Sequence, residues 1–471
     1  MAELAAKQLS FRYEPQKPLI FKNLNFQIEP QTFGLLTGPS GSGKSTFFKL
    51  LAGLYPQYGG QIESGQVVLD KQNIAEILPN QRAQKVALLF QNPSRQFAMK
   101  TVKEQLIFAL ENIQLPAAKI QSQIDQVLTE LQLEPFKNRR LQTLSGGEQQ
   151  RVALATVLAL DSEIILLDEP FANVDPQGRF LLLAALKQLQ QRFGKTILIA
   201  DHDLTGYAGL ADRLYQLNFA DSQIIQVPVT KLKKTSTIWQ VPTKTLNSGD
   251  FAWQKLACQA AGRLLIKPNN FRLPKGQIGL LSGANGVGKS TLLKALCRLQ
   301  PYVGQISYLH QAAPNFSAKK WALVVGLVFQ NSSDQFIRLT AQEEITLSQK
   351  KTLRPDYWNA ERIQKAVQLL NLTNVLDQVC YQLSGGQQKK LQLLVMLIMS
   401  QPVLLLDEPF AGLDPQSLTN ALHLINQTVK DLQSSLLLVS HQRAGVTDQL
   451  DYELHLANQQ LTRVTGDAVN D

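Results

Sequence analysis

Four short apolar runs set the rhythm of the first half of the chain: Phe33–Leu36, Val86–Phe90, Ile164–Leu167 and Thr196–Ile199. They read as strands, and they alternate with helical stretches such as Gln149–Leu160. That alternation predicts an α/β domain with a largely parallel sheet. The nearest approach to a membrane span is Leu393–Met399, far short of the roughly 18 apolar residues a span requires. It reads as part of one buried helix.

The pattern occurs twice. FGLLTGPSGSGKSTFFKLL (33–51) returns as IGLLSGANGVGKSTLLKAL (278–296), and VALLFQNPSRQF (86–97) as VGLVFQNSSDQF (325–336). LSGGEQQRVAL (144–154) returns as LSGGQQKKLQL (383–393), and IILLDEPFANVDPQ (164–177) as VLLLDEPFAGLDPQ (403–416). The copies lie 245 residues apart at the first motif and 239 from the second onward, so the second copy is six residues shorter between those two. So long a period means two domains, 1–227 and 250–471. The polar segment Pro228–Gly249, with two prolines, reads as the linker between them.

Each copy carries Gly-x-x-x-x-Gly-Lys-Ser between a strand and a helix, which is the form phosphate binding needs. In the first, Gly38, Pro39, Ser40, Gly41, Ser42 and Gly43 can close their backbone N–H groups around β- and γ-phosphates. In the second, Gly283, Ala284, Asn285, Gly286, Val287 and Gly288 can do the same. Lys44 and Lys289 reach the phosphates, Ser45 and Ser290 coordinate Mg²⁺, and Thr46 and Thr291 follow at the helix starts. The strand pairs ending in Asp168–Glu169 and Asp407–Glu408 supply one carboxylate for Mg²⁺ and a second to polarise an attacking water. Ser145, Gly146 and Gly147, with Ser384, Gly385 and Gly386, open helices and offer a hydroxyl and free N–H groups to an anion. Alone such a turn is a helix cap. Its repetition beside a phosphate loop and an acidic strand points to function.

Together these motifs resemble the ATPase domains of the ABC superfamily, for which Leu-Ser-Gly-Gly-Gln is the diagnostic signature. The resemblance covers nearly the whole chain outside the linker. It implies two tandem P-loop ATPase domains, each with a largely parallel sheet core and a helical subdomain carrying the signature. It implies that ATP lies between the paired halves, the phosphate loop of one facing the signature of the other. Gln91 and Gln330 would sense Mg²⁺ and water and signal to a transmembrane partner. Asp175 and Asp414 match the loop that crosses between halves, and His202 and His441 match the histidine that contacts the γ-phosphate. His310, His423 and His455 match no motif. Adenine in this family stacks on an aromatic about 25 positions before the phosphate loop; Tyr13 fits. The same count in the second half lands on Cys258, and Trp253 serves only if the register shifts.

FQNPSRQF, FQNSSDQF and DEPFANVDP are similar to segments of energy-coupling-factor importers. That branch implies a subunit that hydrolyses ATP to import a vitamin, precursor or metal ion through a transmembrane subunit and a membrane capture subunit. It would sit peripherally on the cytoplasmic face of the cell membrane. Tandem sugar importers often carry one eroded site, whereas both acid pairs and both histidines survive here. Ribosome-binding ABC factors carry a long, charged helical linker, unlike these 22 residues. ATP binding without hydrolysis conflicts with two intact glutamates.

Composition changes this picture little. At 471 residues and 44% hydrophobic, the chain has material for two cores. The net charge of +10 is spread along both halves, with a small cluster at Lys231, Lys233 and Lys234, and reads as solvated surface rather than a nucleic-acid face. Cys258, Cys297 and Cys380 lack metal-ligand spacing and read as small buried residues in a reducing compartment. The start shows no signal-peptide pattern, so the chain is expected in the cytosol, brought to the membrane by partners.

The pairing of halves makes a prediction. Lys44, Gln91, Glu169 and His202 would share a site with Ser384 and Gly386, while Lys289, Gln330, Glu408 and His441 would share one with Ser145 and Gly147. Lys44→Ala combined with Ser384→Arg should leave one site able to trap nucleotide. Combined with Ser145→Arg it should leave none. Counting nucleotides trapped per chain decides; the opposite pattern rules out pairing within one chain.

Overall fold

The apolar runs become strands because neither face reaches water. The computed structural model describes residues 2–464 except 40, 93–95, 145, 172, 173, 175, 219, 220, 233–243, 261, 441, 442 and 444. It divides into two units, Met1–Ser236 and Thr237–Asp471. In the first, Ile164–Asp168 and Thr196–Ala200 are buried throughout, as is Phe33–Thr37 up to its last residue. They pair in parallel, with Ile199 flanked by Leu35 and Leu167. The sheet order is Gln223–Val227, Arg213–Asn218, Phe33–Thr37, Thr196–Ala200, Ile164–Asp168, Val86–Leu89. Only Gln223–Val227, at the edge, is antiparallel. The second unit repeats this, with Ile278–Ser282 between Ser435–Val439 and Tyr452–Ala457, and Val403–Asp407 between Ser435–Val439 and Val325–Val328.

Beside the parallel sheet sits a helical group, Val102–Asn112, Ala117–Glu130 and Gly146–Ala159, sharing its core. Ala341–Lys351, Ala360–Leu369 and Gly385–Met399 are the second set. Thr101 and Thr340 open their helices with reciprocal capping boxes to Glu104 and Glu343. Leu393–Met399 is the buried end of Gly385–Met399, and no described helix is long and apolar enough to cross a membrane.

A second, antiparallel sheet in each unit did not emerge from the pattern. It comprises Phe21–Ile28, Leu4–Arg12, Gln61–Leu69 and Gln72–Asn73, matched by Arg263–Leu273, Phe251–Ala260, Tyr302–Tyr308 and Gln311–Ala312. The reason is a bulge. Register slips between Ala6 and Leu9, where Gln8 takes φ 49°, so two exposed residues interrupt the alternation. Gly65 opposes that bulge at φ 74°, where a Cβ would lie 2.2 Å from the Gln8 carbonyl oxygen. Gly304 faces Lys255 in the same way. Between the two sheets runs the helix after each phosphate loop, Lys44–Leu51 or Lys289–Leu296, its apolar side chains buried. The six-residue deficit falls after the second of these, between Leu296 and Tyr302, where the first unit carries Tyr55 and Tyr58.

Both described ends of the linker segment are docked. Val229 and Leu232 pack on the first core, while Lys244 pairs with Asp451 at 2.7 Å and Asn247 bonds Gln277. The three cysteines are unpaired, Cys258 and Cys380 buried and Cys297 partly so.

The units differ in their buried charges. Arg443 holds the fully buried Glu453 through two hydrogen bonds of 2.8 and 3.1 Å, where the first half carries Leu204 and Leu214. Arg443→Met should destabilise the second unit by about 3–5 kcal/mol, because it strands a buried carboxylate. Replacing both residues with leucine should recover most of that. All four tryptophans follow residue 236, so denaturation followed by tryptophan fluorescence reads this unit.

Candidate active site

Each phosphate loop closes at a glycine. Gly43 and Gly288 take φ 101° and 114°, and a Cβ at Gly43 would sit 3.0 Å from both Ile20 and Phe21. Only glycine makes this turn cheaply. It brings the loop carbonyls around the lysine: Lys44 Nζ donates to Gly38 O at 2.7 Å and Pro39 O at 3.0 Å. Lys289 Nζ donates to Gly283 O at 2.6 Å and Ala284 O at 2.9 Å. Both lysines are buried.

The acidic pairs stand at the carboxyl ends of their strands. Glu169 and Glu408 adopt φ 48° and 49°, a left-handed conformation that costs a non-glycine residue about 1–3 kcal/mol. Backbone bonds from Glu169 N to Ala200 O (2.8 Å) and from Glu408 N to Val439 O (3.0 Å) hold this turn. Glu169 Oε2 then accepts a 2.7 Å bond from Gln91 Nε2. Its Oε1 lies 3.6 Å from His202 Nδ1, a charge contact longer than a hydrogen bond. Three residues 33 or more positions apart in sequence thus converge.

Electrostatics separates the neighbouring acids. Burial and the adjacent Glu169 push Asp168 up to about 7, against the pull of Ser45 and Lys44. Burial also acts against ionisation of Glu169, but His202, Lys44 and Gln91 outweigh it and hold that carboxyl below its usual value. His202 is raised despite burial because Glu169 and Asp201 face it. In the second unit, burial raises Asp407 against Ser290, Lys389 and Lys289.

The first site fits a magnesium–triphosphate group. Asp168 Oδ1 and Ser42 Oγ are buried without a hydrogen-bond partner among the described residues, which is costly unless a ligand completes them. A carboxylate and the hydroxyl of Ser45 suit Mg²⁺, a hard cation that takes oxygen donors. Phosphate oxygens suit Ser42 and the loop N–H groups.

The signature turns are helix starts. Gly146 and Gly147 begin Gly146–Ala159, and Gly385 and Gly386 begin Gly385–Met399. Ser384 caps the latter, accepting from Gln387 N at 3.3 Å. Asp414 caps Pro415–Leu432 through Ser417 N and Oγ. Ser40, Ser145, Asp175 and His441 lie outside the described residues.

Tyr13 is half exposed, bonds Thr46 Oγ1 through its hydroxyl at 2.7 Å, and packs edge-on against Phe11 and Tyr55. Neither Cys258 nor Trp253 is its counterpart. Leu4 pairs with Leu69 as Phe251 pairs with Tyr308, which aligns Cys258 with Phe11 and Trp253 with Ala6. Both are buried, and the Trp253 indole bonds Asn269. Tyr13 aligns with Ala260, which pairs directly with Arg263 across a tight hairpin. Counting back from the phosphate loop failed because the hairpin before it is two residues shorter in the second half.

Sequence reasoning also missed the brace behind His202. Asp201 Oδ2 accepts from Tyr207 Oη at 2.7 Å and from Arg179 Nη2 at 3.3 Å, and Arg179 also binds Asp203. The acidic residues around His202 were a visible signal; Arg179, on Pro176–Phe193, gave none.

The family model described as ABC transporter matches residues 21–172 and 266–411. A Bacillus subtilis (strain 168) chain, provisionally named as an HMP/thiamine import ATP-binding protein, is 31% identical over 96% of this chain and 89% of its own. A Streptococcus mutans chain, provisionally named as an ABC transporter ATP-binding protein, is 28% identical over 97% of this chain and 89% of its own. A solved archaeal ribosome recycling factor, in complex with a stalk protein, has a TM-score of 0.63 at 22% identity. It covers 95% of this chain and 87% of its own, a likeness in fold alone.

Tyr13→Ala should weaken nucleotide binding at one site roughly tenfold, the loss of about 1.4 kcal/mol of stacking. Trp253→Phe should leave nucleotide affinity unchanged. Equilibrium titration with a fluorescent ATP analogue checks both.

Proposed function

The chain belongs to the ABC transporter family and is an ATPase, and from that premise we propose that it powers import of a small solute through a separate transmembrane partner. The observation that carries the reading is the likeness along 96% of the chain to a relative named for HMP/thiamine import. The solute is then a vitamin, a precursor or a metal ion. The chain works on the cytoplasmic face of the membrane, held there by a transmembrane subunit and a substrate-capture subunit.

In this reading Lys44 and Lys289 exchange their loop carbonyls for the phosphates of ATP. Ser45, Asp168 and Gln91, with Ser290, Asp407 and Gln330, hold Mg²⁺, which when bound neutralises charge developing on the phosphates. Glu169, kept ionised beside His202, accepts a hydrogen bond from the attacking water at its carboxylate; Glu408 does so in the second half. Gln91 carries the state of the site outward, because its amide already touches Glu169. Tyr13 stacks the adenine of the first site.

A ribosome-directed ATPase is the competing reading, since a recycling factor shares the tandem fold. The two separate in one preparation. Glu169→Gln with Glu408→Gln should lower ATP turnover at least about 100-fold while ATP binding persists. Affinity purification of that variant in detergent should recover integral membrane proteins, and cells carrying it should lose uptake of the solute. Recovery with ribosomes and unchanged uptake would overturn the importer reading.

A further inference from the structure

The two glutamine segments are held differently. Lys389 and Gln392 lie three residues apart on the helix Gly385–Met399, so they share a face. Lys389 Nζ donates to Gln330 O at 2.6 Å. Gln392 Nε2 donates to Phe329 O at 2.9 Å and to Gln335 Oε1 at 3.3 Å, and Phe329 N donates to that same Gln335 oxygen at 3.2 Å. Two consecutive carbonyls, of Phe329 and Gln330, are therefore gripped by one helix, the helix that carries the second signature.

Among the described residues, the first half shows no such pair of bonds at the matching positions. The corresponding residues are Gln150 and Ala153. Gln150 is fully buried, yet neither atom of its amide has a hydrogen-bond partner among the described residues, and Ala153 has no side-chain donor. There Gln91 instead rests its amide on Glu169. The end of the segment is held alike in both halves: Glu344 accepts from the backbone of Ile337 and Arg338, as Gln105 accepts from Ala98 and Met99. Lys389 itself is buried, which lowers its ammonium to about 8 against the pull of Glu408 and Asp407. A cation kept in so dry a place needs its acceptor.

We propose that Lys389 is a positioning residue that locks Gln330 to the second signature helix, so that this helix and the second glutamine segment move as one body. The first glutamine segment lacks this particular link, because Gln150 makes no such bond among the described residues. The two ATP sites thus differ in how tightly movement of the helical group reaches the Mg²⁺-sensing glutamine, a consequence that rests on the role given to Gln330 above.

Hydrogen exchange on the full-length, nucleotide-free protein tests the lock directly. Lys389→Met keeps the chain length and removes the donor; Lys389→Gln installs the first-half residue; Lys389→Arg keeps a donor. The first two should raise exchange of the peptide 329–336 at least fivefold and leave the strand Val403–Asp407 unchanged. Lys389→Arg should restore protection. Gln150→Met, the matched control, should leave the peptide 90–97 as it was. Unaltered exchange at 329–336, or faster exchange throughout the second unit, would make Lys389 a packing residue and overturn the proposal. ATPase titrated with Mg²⁺ then tests the role beneath it: half-saturation should rise several-fold in Lys389→Met and recover in Lys389→Arg. Local loosening with an unmoved Mg²⁺ curve keeps the lock and removes Gln330 from Mg²⁺ sensing.

Discussion

Strands buried on both faces can present polar groups only at their ends, and the chemistry of this protein depends on that constraint. Phe33–Thr37, Ile164–Asp168 and Thr196–Ala200 lie side by side, apolar up to their last residues. Their carboxyl ends therefore release the phosphate loop, the acidic pair and the histidine at one edge, where open α/β sheets bind ligands. Parallel register aligns those ends to within a residue: Asp168 pairs with Ala200, and Leu36 does too. A slip of one residue in Ile164–Asp168 would draw its terminal acids toward the core.

Precision beyond that comes from strain and charge. Left-handed backbone at Glu169 and Glu408 turns the chain within a single residue, and a hydrogen bond to the neighbouring strand holds each turn. The first site then sorts its protons without any shift in exposure. Asp168 and Glu169 are equally buried, but His202 and Gln91 favour the charged form of Glu169, and that charge in turn opposes ionisation of Asp168. A divalent cation reverses the balance at Asp168, because a carboxylate beside it is stabilised in its charged form.

Duplication kept the scaffold and changed the wiring. The first unit has an aromatic group of Phe11, Tyr13 and Tyr55, and an Arg179–Asp201–Tyr207 brace. The second has a tight hairpin at the first place, a buried Arg443–Glu453 pair elsewhere, and Lys389 and Gln392 on the glutamine segment. Most of these differences involve polar or aromatic groups, while the central strands Ile164–Asp168 and Val403–Asp407 stay aliphatic up to their acids. A sheet core tolerates exchange among apolar residues of similar size. A hydrogen-bonded cluster changes its geometry when one member changes.

The sequence alone determined the duplicated α/β architecture, the phosphate loops, the acidic pairs and the family. These are encoded locally, by short apolar runs and by glycines whose backbone must turn within a few residues. It determined less where the code was broken or spread. The bulges at Gln8 and Lys255 interrupt the alternation that marks a half-buried strand, so the antiparallel sheets were hidden. A two-residue shortening of one hairpin misplaced the partner of Tyr13, because counting along a chain cannot see which residues pair across it. The brace at Asp201 and the lock at Gln330 were equally invisible: Arg179 lies 22 positions from Asp201, and Lys389 lies 59 from Gln330. Only tertiary structure decided those contacts, because a buried cation finds its acceptor through the folding of the whole unit and not through its neighbours in sequence.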